Sequence, residues 1–167
     1  MSQAPLTTSG AIISGDYRYS LWRIWEPEQP RILFIMLNPS TADQDQDDAT
    51  IRRCINFART LQGGAIEVVN LYAYRATDPA RLAQAQDATG PENNAHIQQA
   101  AARAALIICA WGAHKQTQGR SREVLDLLAD RDLYCLGVTR GGHPRHPLYI
   151  PACAQIERYQ PPIVATT

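Results

Sequence analysis

Residues 31–41 read RILFIMLNPST: a near-unbroken apolar run, 31–37, that passes directly into Asn38-Pro39-Ser40-Thr41. Continuous apolarity, instead of strict alternation, is what a strand covered on both faces shows, and Asn-Pro is a turn initiator that ends it. Three further runs share this character: 66–72 (IEVVNLY), 105–111 (ALIICAW) and 133–138 (LYCLGV). Between them the apolar spacing changes to the helical period. Ile51, Cys54, Ile55, Ala58 and Leu61 recur on one helix face, with Asp47 or Asp48 as the N-cap. Gly90-Pro91 opens a second helix, and 120–129 forms a third with Val124, Leu125 and Leu128 inward and Ser121 as its cap.

Alternation of strand and helix predicts an α/β fold, a three-layer sandwich around a mostly parallel four-stranded sheet. Residues 12–25 read as an N-terminal β-hairpin that turns at Gly15-Asp16 and adds to the sheet edge. The expected organisation is a flexible N-terminus over 1–10, a single α/β domain over 11–158, and a loose C-terminal tail over 159–167.

The chain has 167 residues, 45% hydrophobic, with sixteen basic and sixteen acidic side chains. That length suits one compact domain, and a formal charge of zero argues against a broad phosphate-binding surface. No apolar stretch has the length of a membrane span, and MSQAPLTTSG is no secretory signal, so a cytoplasmic protein without a membrane partner is expected. Cys54, Cys109, Cys135 and Cys153 form no C-x-x-C pair and read as reduced thiols.

Two connections, 38–48 and 73–89, are longer than such units need, and both leave the carboxyl end of a strand. Long loops there are where open α/β sheets place ligands. Asn38 and Asn70 each offer two amide donors and an acceptor, which suits the edge of a planar base; either could instead bond its own turn. Asn70 interrupts a strand in which Asn is otherwise unfavourable. The run His143-Pro144-Arg145-His146-Pro147-Leu148 follows a Gly-Gly pair, and its prolines would hold an imidazole stiffly as donor or general acid. Asp43, Asp45, Asp47 and Asp48 fail as a calcium loop, because the sixth position is Asp48 and the twelfth Cys54. Helix capping accounts for part of that stretch, and a water-orienting carboxylate is its alternative role. No paired ligand spacing supports zinc, so no metal and no cofactor are expected.

At these residues the chain resembles an uncharacterised bacterial domain family of short proteins, through LNPSTAD, NLYAYRATDP, AWG and GHPRHPLY. More distantly it resembles the uracil-DNA glycosylase superfamily. Leu37-Asn38-Pro39-Ser40 looks like that superfamily's water-placing loop, and Val69-Asn70-Leu71 like its base-reading strand. Ala110-Trp111-Gly112 is similar to its third motif, and 143–148 to its histidine loop with one residue extra. Asn38 stands where a water-activating Asp would be, and the extra residue leaves the histidine role open between His143 and His146.

The likeness implies a uracil-DNA-glycosylase-like sheet and a protein that recognises a nucleobase in nucleic acid or nucleoside form and hydrolyses its N-glycosidic bond. His143 or His146 would donate to the departing base, while Asn38, or a carboxylate such as Asp43, would position water. Pro39 and Ser40 would line the site and Asn70 read the base edge. Tyr72, Tyr74 or Trp111 would stack on the ring, Arg145 meet phosphate, and Leu148 act as a wedge if DNA is the substrate. The alternatives are an inactive nucleotide-, base- or protein-binding module, or a hydrolase of a small free metabolite. The oligomeric state has no signature in the sequence.

Overall fold

The structure, a computed structural model, describes residues 8–162. Among these residues the sequence forms a seven-stranded mixed sheet with three α-helices. The elements run β1 (Thr8–Ser14), β2 (Tyr17–Ile24), β3 (Arg31–Met36), α1 (Ala49–Thr60), β4 (Ala65–Asn70), α2 (Asn93–Arg103), β5 (Leu106–Cys109), α3 (Arg120–Leu127), β6 (Tyr134–Cys135) and β7 (Glu157–Arg158). Strand order is β1-β2-β4-β3-β5-β6-β7.

This corrects the expected mostly parallel, four-stranded, uracil-DNA-glycosylase-like sheet. The four apolar runs do supply the parallel strands β4-β3-β5-β6. Antiparallel strands flank them on both sides: β1 pairs with β2, β2 with β4, and β7 with β6. Hence three of the six pairings are antiparallel, and β2 is an interior strand beside β4. Its sequence, YRYSLWRI, hides this because Arg18, Ser20 and Arg23 are buried polar residues in it. β7 is two exposed residues long and carries no apolar pattern.

Register explains the layers. Along β3, Ile32, Phe34 and Met36 face α1, where they meet Ile51, Cys54, Ile55 and Ala58. Leu33 and Ile35 point to the other face, where Ile97, Ala100, Val124 and Leu128 of α2 and α3 cover them. Side chains alternate across a strand, so a run apolar at every position is covered on both faces. In the middle of β4, Glu67 is 1% exposed. It accepts from Ser20 and Arg31 and takes two bonds from Arg103 at the end of α2, 2.8 and 2.7 Å long.

The caps are partly as read. Asp48 caps α1 by accepting from the Ile51 amide. Ser121, by contrast, lies inside α3, whose N-cap is Gly119 at a φ of 74°. Thr8, Ser9 and Gly10, expected to be flexible, are strand residues. Tyr159, expected in a loose tail, is buried, and its amide donates to Leu133. Residues 1–7 and 163–167, the rest of those two expected segments, lie outside the described residues. No helix among the described residues is long and apolar enough to cross a membrane.

Candidate functional site

The carboxyl ends of β3, β4, β5 and β6 open onto one cavity of about 610 Å³. β4 lies on one side of β3 and β5 on the other, so the connections from β3 and β4 run in opposite directions and leave a crevice above the strand ends. Met36, Ile51 and Trp111 give it apolar wall, and Arg18 of β2 and Asp48 at the start of α1 close one side.

Asn70, the last residue of β4, lies in this cavity and is 1% exposed. Its backbone carbonyl accepts from Asn93 Nδ2 at 2.9 Å; the next carbonyl, Leu71, accepts from Asn93 Nδ2 and from Arg120 Nε at 2.7 Å. The first turns of α2 and α3 thus clamp the strand end. The Asn70 side chain gains nothing from this clamp: Oδ1 and Nδ2 are both buried with no partner. A buried polar group left unpaired costs about 1–3 kcal/mol, so folding alone gives no reason for an amide here. Asn70 pairs in register with Met36, which puts both on the α1 face of the sheet.

Asn38 is half-buried at the end of β3, and its Nδ2 donates to Pro39 and, at 2.7 Å, to Ala76. The two long loops are joined by that bond and by Ala76 donating to Pro39. With both amide hydrogens engaged, Oδ1 is what Asn38 can offer a ligand. Ser40 lines the cavity beside it.

His146 precedes a short 3₁₀ turn, Pro147–Tyr149, and caps it: Nδ1 accepts from the Leu148 amide at 3.2 Å. An accepting Nδ1 leaves the proton of the neutral ring on Nε2. Burial lowers the His146 pKa and Asp48 opposes that shift, which favours the neutral ring with an Nε2–H to donate. His114 repeats this device after β5, Nδ1 accepting from Gln116 at 3.1 Å, and it borders the same cavity. Gly112, at a φ of 74°, donates to Pro144 and holds the two histidine loops together. Arg145 lies at the cavity edge, held through Nε to Val138. Leu148 and Tyr149 stand at the mouth, 42% and 78% exposed.

The structure therefore gathers Asn38, Ser40, Asn70, Trp111, Arg145, His146 and Leu148 at one site. It does not gather the rest. His143 belongs to a tight turn closed by Thr139 and faces a neighbouring cavity of about 400 Å³, so the two sequence-adjacent histidines serve different hollows, with Trp111 between them. Asp43 is spent on its own loop: Oδ1 accepts from Asp45 and Gln46, and these bonds hold its carboxyl below the ordinary range. Asp47 pairs with Arg23 at 2.8 Å, so the acidic stretch is largely loop architecture. No group of three or more potential metal ligands occurs among the described residues. Pro39 is buried and contributes its carbonyl to the loop bonds. Tyr72 donates to Gln116 and packs on the α2 face; Tyr74 packs edge-on against Tyr17.

Residues 18–148 match the family described as protein of unknown function (DUF1643). The chain belongs to that family. Comparison with curated proteins and with solved structures finds no match. The DUF1643 segment runs from Arg18 to Leu148 and so holds the cavity residues named above except Tyr149. Sequence reading missed Arg18 as a member of the site, considered Asp48 only within the 43–48 stretch and gave His114 no role of its own. Asp48 was visible as a cap, and His114 stands three residues after Trp111 at a strand end. A buried arginine in an alternating strand has no sequence signature.

Proposed function

We propose that the cavity recognises a nucleobase, as free base, nucleoside or part of a nucleic acid, and that it is arranged to hydrolyse the N-glycosidic bond. The observation that carries this reading is the buried, partnerless amide of Asn70. Lactam and amidine edges of bases present an adjacent donor and acceptor, the complement of Oδ1 and Nδ2. Met36, Ile51 and Trp111 supply apolar walls for a flat ring. In hydrolysis, the water oxygen bonds to the anomeric carbon as the C–N bond breaks, the electron pair leaves on the base, and the proton that the water sheds finishes on the departed base. The Nε2–H of His146 would donate to the base oxygen that gathers this charge. Asn38 Oδ1 and the Asp48 carboxylate are the acceptors that would orient the water. The likeness of the strand-end strings to the uracil-DNA glycosylase superfamily is what names the reaction.

A second reading, base binding without bond cleavage, is favoured by one detail. Position 38 is an amide whose Nδ2 is tied into the loops, so no carboxylate stands there to take a proton.

The test is a panel of oligonucleotides carrying uracil, mismatched and modified bases, scored for abasic sites, with free bases and nucleosides titrated alongside. Base release that His146→Ala abolishes supports hydrolysis; binding without release supports the second reading. Failure of every base to bind the wild-type protein overturns both. Asn70→Asp should weaken binding of the best base at least tenfold while the protein still folds.

A further inference from the structure

Among the described residues, three arginines are buried: Arg18, Arg23 and Arg120. Two have complete sets of partners within the protein. Arg23 bonds Asp47 and the carbonyls of Asp43, Gln46 and Trp22. Arg120 bonds the Leu71 carbonyl, Asn94 and Glu123. Arg18 is 2% exposed, yet it makes a single side-chain bond, Nη1 to the Ala42 carbonyl at 3.0 Å. Its Nε is buried without a partner, no hydrogen bond reaches Nη2, and no carboxylate lies within ion-pair distance.

Of the three, Arg18 is the one that lines the cavity. Burial draws its pKa down to about 10; Asp48 opposes this from a distance, and Arg75 and Arg23 add to it. It remains charged at neutral pH. Desolvating a charge without a counter-ion is unfavourable, and a ligand anion is what would compensate it. The atoms left free decide the kind of anion. With Nη1 engaged, the Nε–Nη2 edge remains, and that edge places two parallel N–H groups on two oxygens of a carboxylate or phosphate. Arg18 and Asn70 lie on neighbouring paired strands and line the same cavity, so one small molecule can meet both.

We infer that the ligand of this cavity is a small anion, a base or nucleoside bearing a carboxylate or phosphate, which Arg18 holds side-on while Asn70 takes the base edge. This rests on the base-recognition reading and adds the charged group to it.

The experiment titrates wild-type and Arg18→Met protein calorimetrically with uridine, cytidine, adenosine, guanosine and their 5′-monophosphates, and with uracil and uracil-6-carboxylate. At least one anionic form should bind wild type tenfold or more tightly than its neutral parent. Arg18→Met should erase that advantage, so that the anionic form and its neutral parent bind the variant within about twofold of each other. A gain confined to the monophosphates assigns phosphate, and one confined to the ring acid assigns carboxylate. Equal binding of neutral and anionic forms, or an advantage that survives Arg18→Met, overturns the inference and leaves base recognition standing. Failure of every compound to bind wild type sinks both. The melting temperature of Arg18→Met should equal or exceed wild type; a fall of many degrees would show a structural arginine and overturn the inference without any ligand.

Discussion

Arg18 and Arg23 leave the same strand, both buried, and end in opposite circumstances. Arg23 reaches under the 43–48 loop, where a carboxylate and several carbonyls saturate it. Arg18 reaches into the cavity and leaves its Nε–Nη2 edge unmet. The same contrast separates Glu67 from Asn70, three residues apart on β4. Glu67 is bonded by Ser20, Arg31 and Arg103, and Asn70 by nothing through its side chain. Burial of a polar group is thus no guide to its purpose; completeness of its partners is. Where the protein supplies every partner, the group serves the fold, and where it leaves a buried group short of partners inside a cavity, that group is open to a ligand.

The largest effect that would break this contrast is on stability. Arg23→Met strands Asp47 and the carbonyls that Arg23 bonds and should cost about 3–5 kcal/mol in urea unfolding. Arg18→Met should cost none. Equal losses from the two would mean that Arg18 also belongs to the fold. The next effect sharpens the contrast on β4. Asn70→Leu removes two buried unpaired groups and should raise stability by about 1–3 kcal/mol while abolishing base binding. A net loss of stability would show that Asn70 has partners in the folded protein after all.

The smallest effect is one of pH. Burial lowers the pKa of folded His146 below its ordinary 6.5, so as pH falls the unfolded chain takes up a proton first. Stability from this group is therefore complete above that value and declines as pH drops through it, until the folded ring also protonates. His146→Gln should flatten the fall of the melting temperature between pH 7 and 5. Asp48→Asn should deepen it, because the opposing charge is removed while the helix cap is kept. An identical slope in wild type and His146→Gln would show that the imidazole titrates as freely as in the unfolded chain.

Much of this was legible in the chain. Four apolar runs marked the parallel strands because a strand covered on both faces has no polar positions to spare. Asn70 was conspicuous because Asn in VVNLY gains nothing from being in a strand. What the sequence left open was which of two neighbouring histidines shares the cavity. His143 and His146 sit together in GGHPRHP, yet the Val138–Pro144 bridge and the Gly112–Pro144 bond divide them between two hollows. The imidazole that shares the cavity with His146 is His114, supplied by another strand end. Asp43 drew notice as a carboxylate, whereas its turn absorbs it and Asp48 reaches the site.

The sequence by itself determined the α/β class, the central strands, a carboxylate cap at 47 or 48 and the long loops at the strand ends. These follow from local propensity and from one- or two-sided burial, which residue order encodes directly. The tertiary structure alone decided that β2 and β7 turn the sheet into a mixed one, that His114 and Arg18 join the site, and that His143 and Asp43 leave it. It alone showed which buried polar groups lack partners. Those outcomes depend on hydrogen bonds between segments far apart in the chain, and local order carries no record of such pairings.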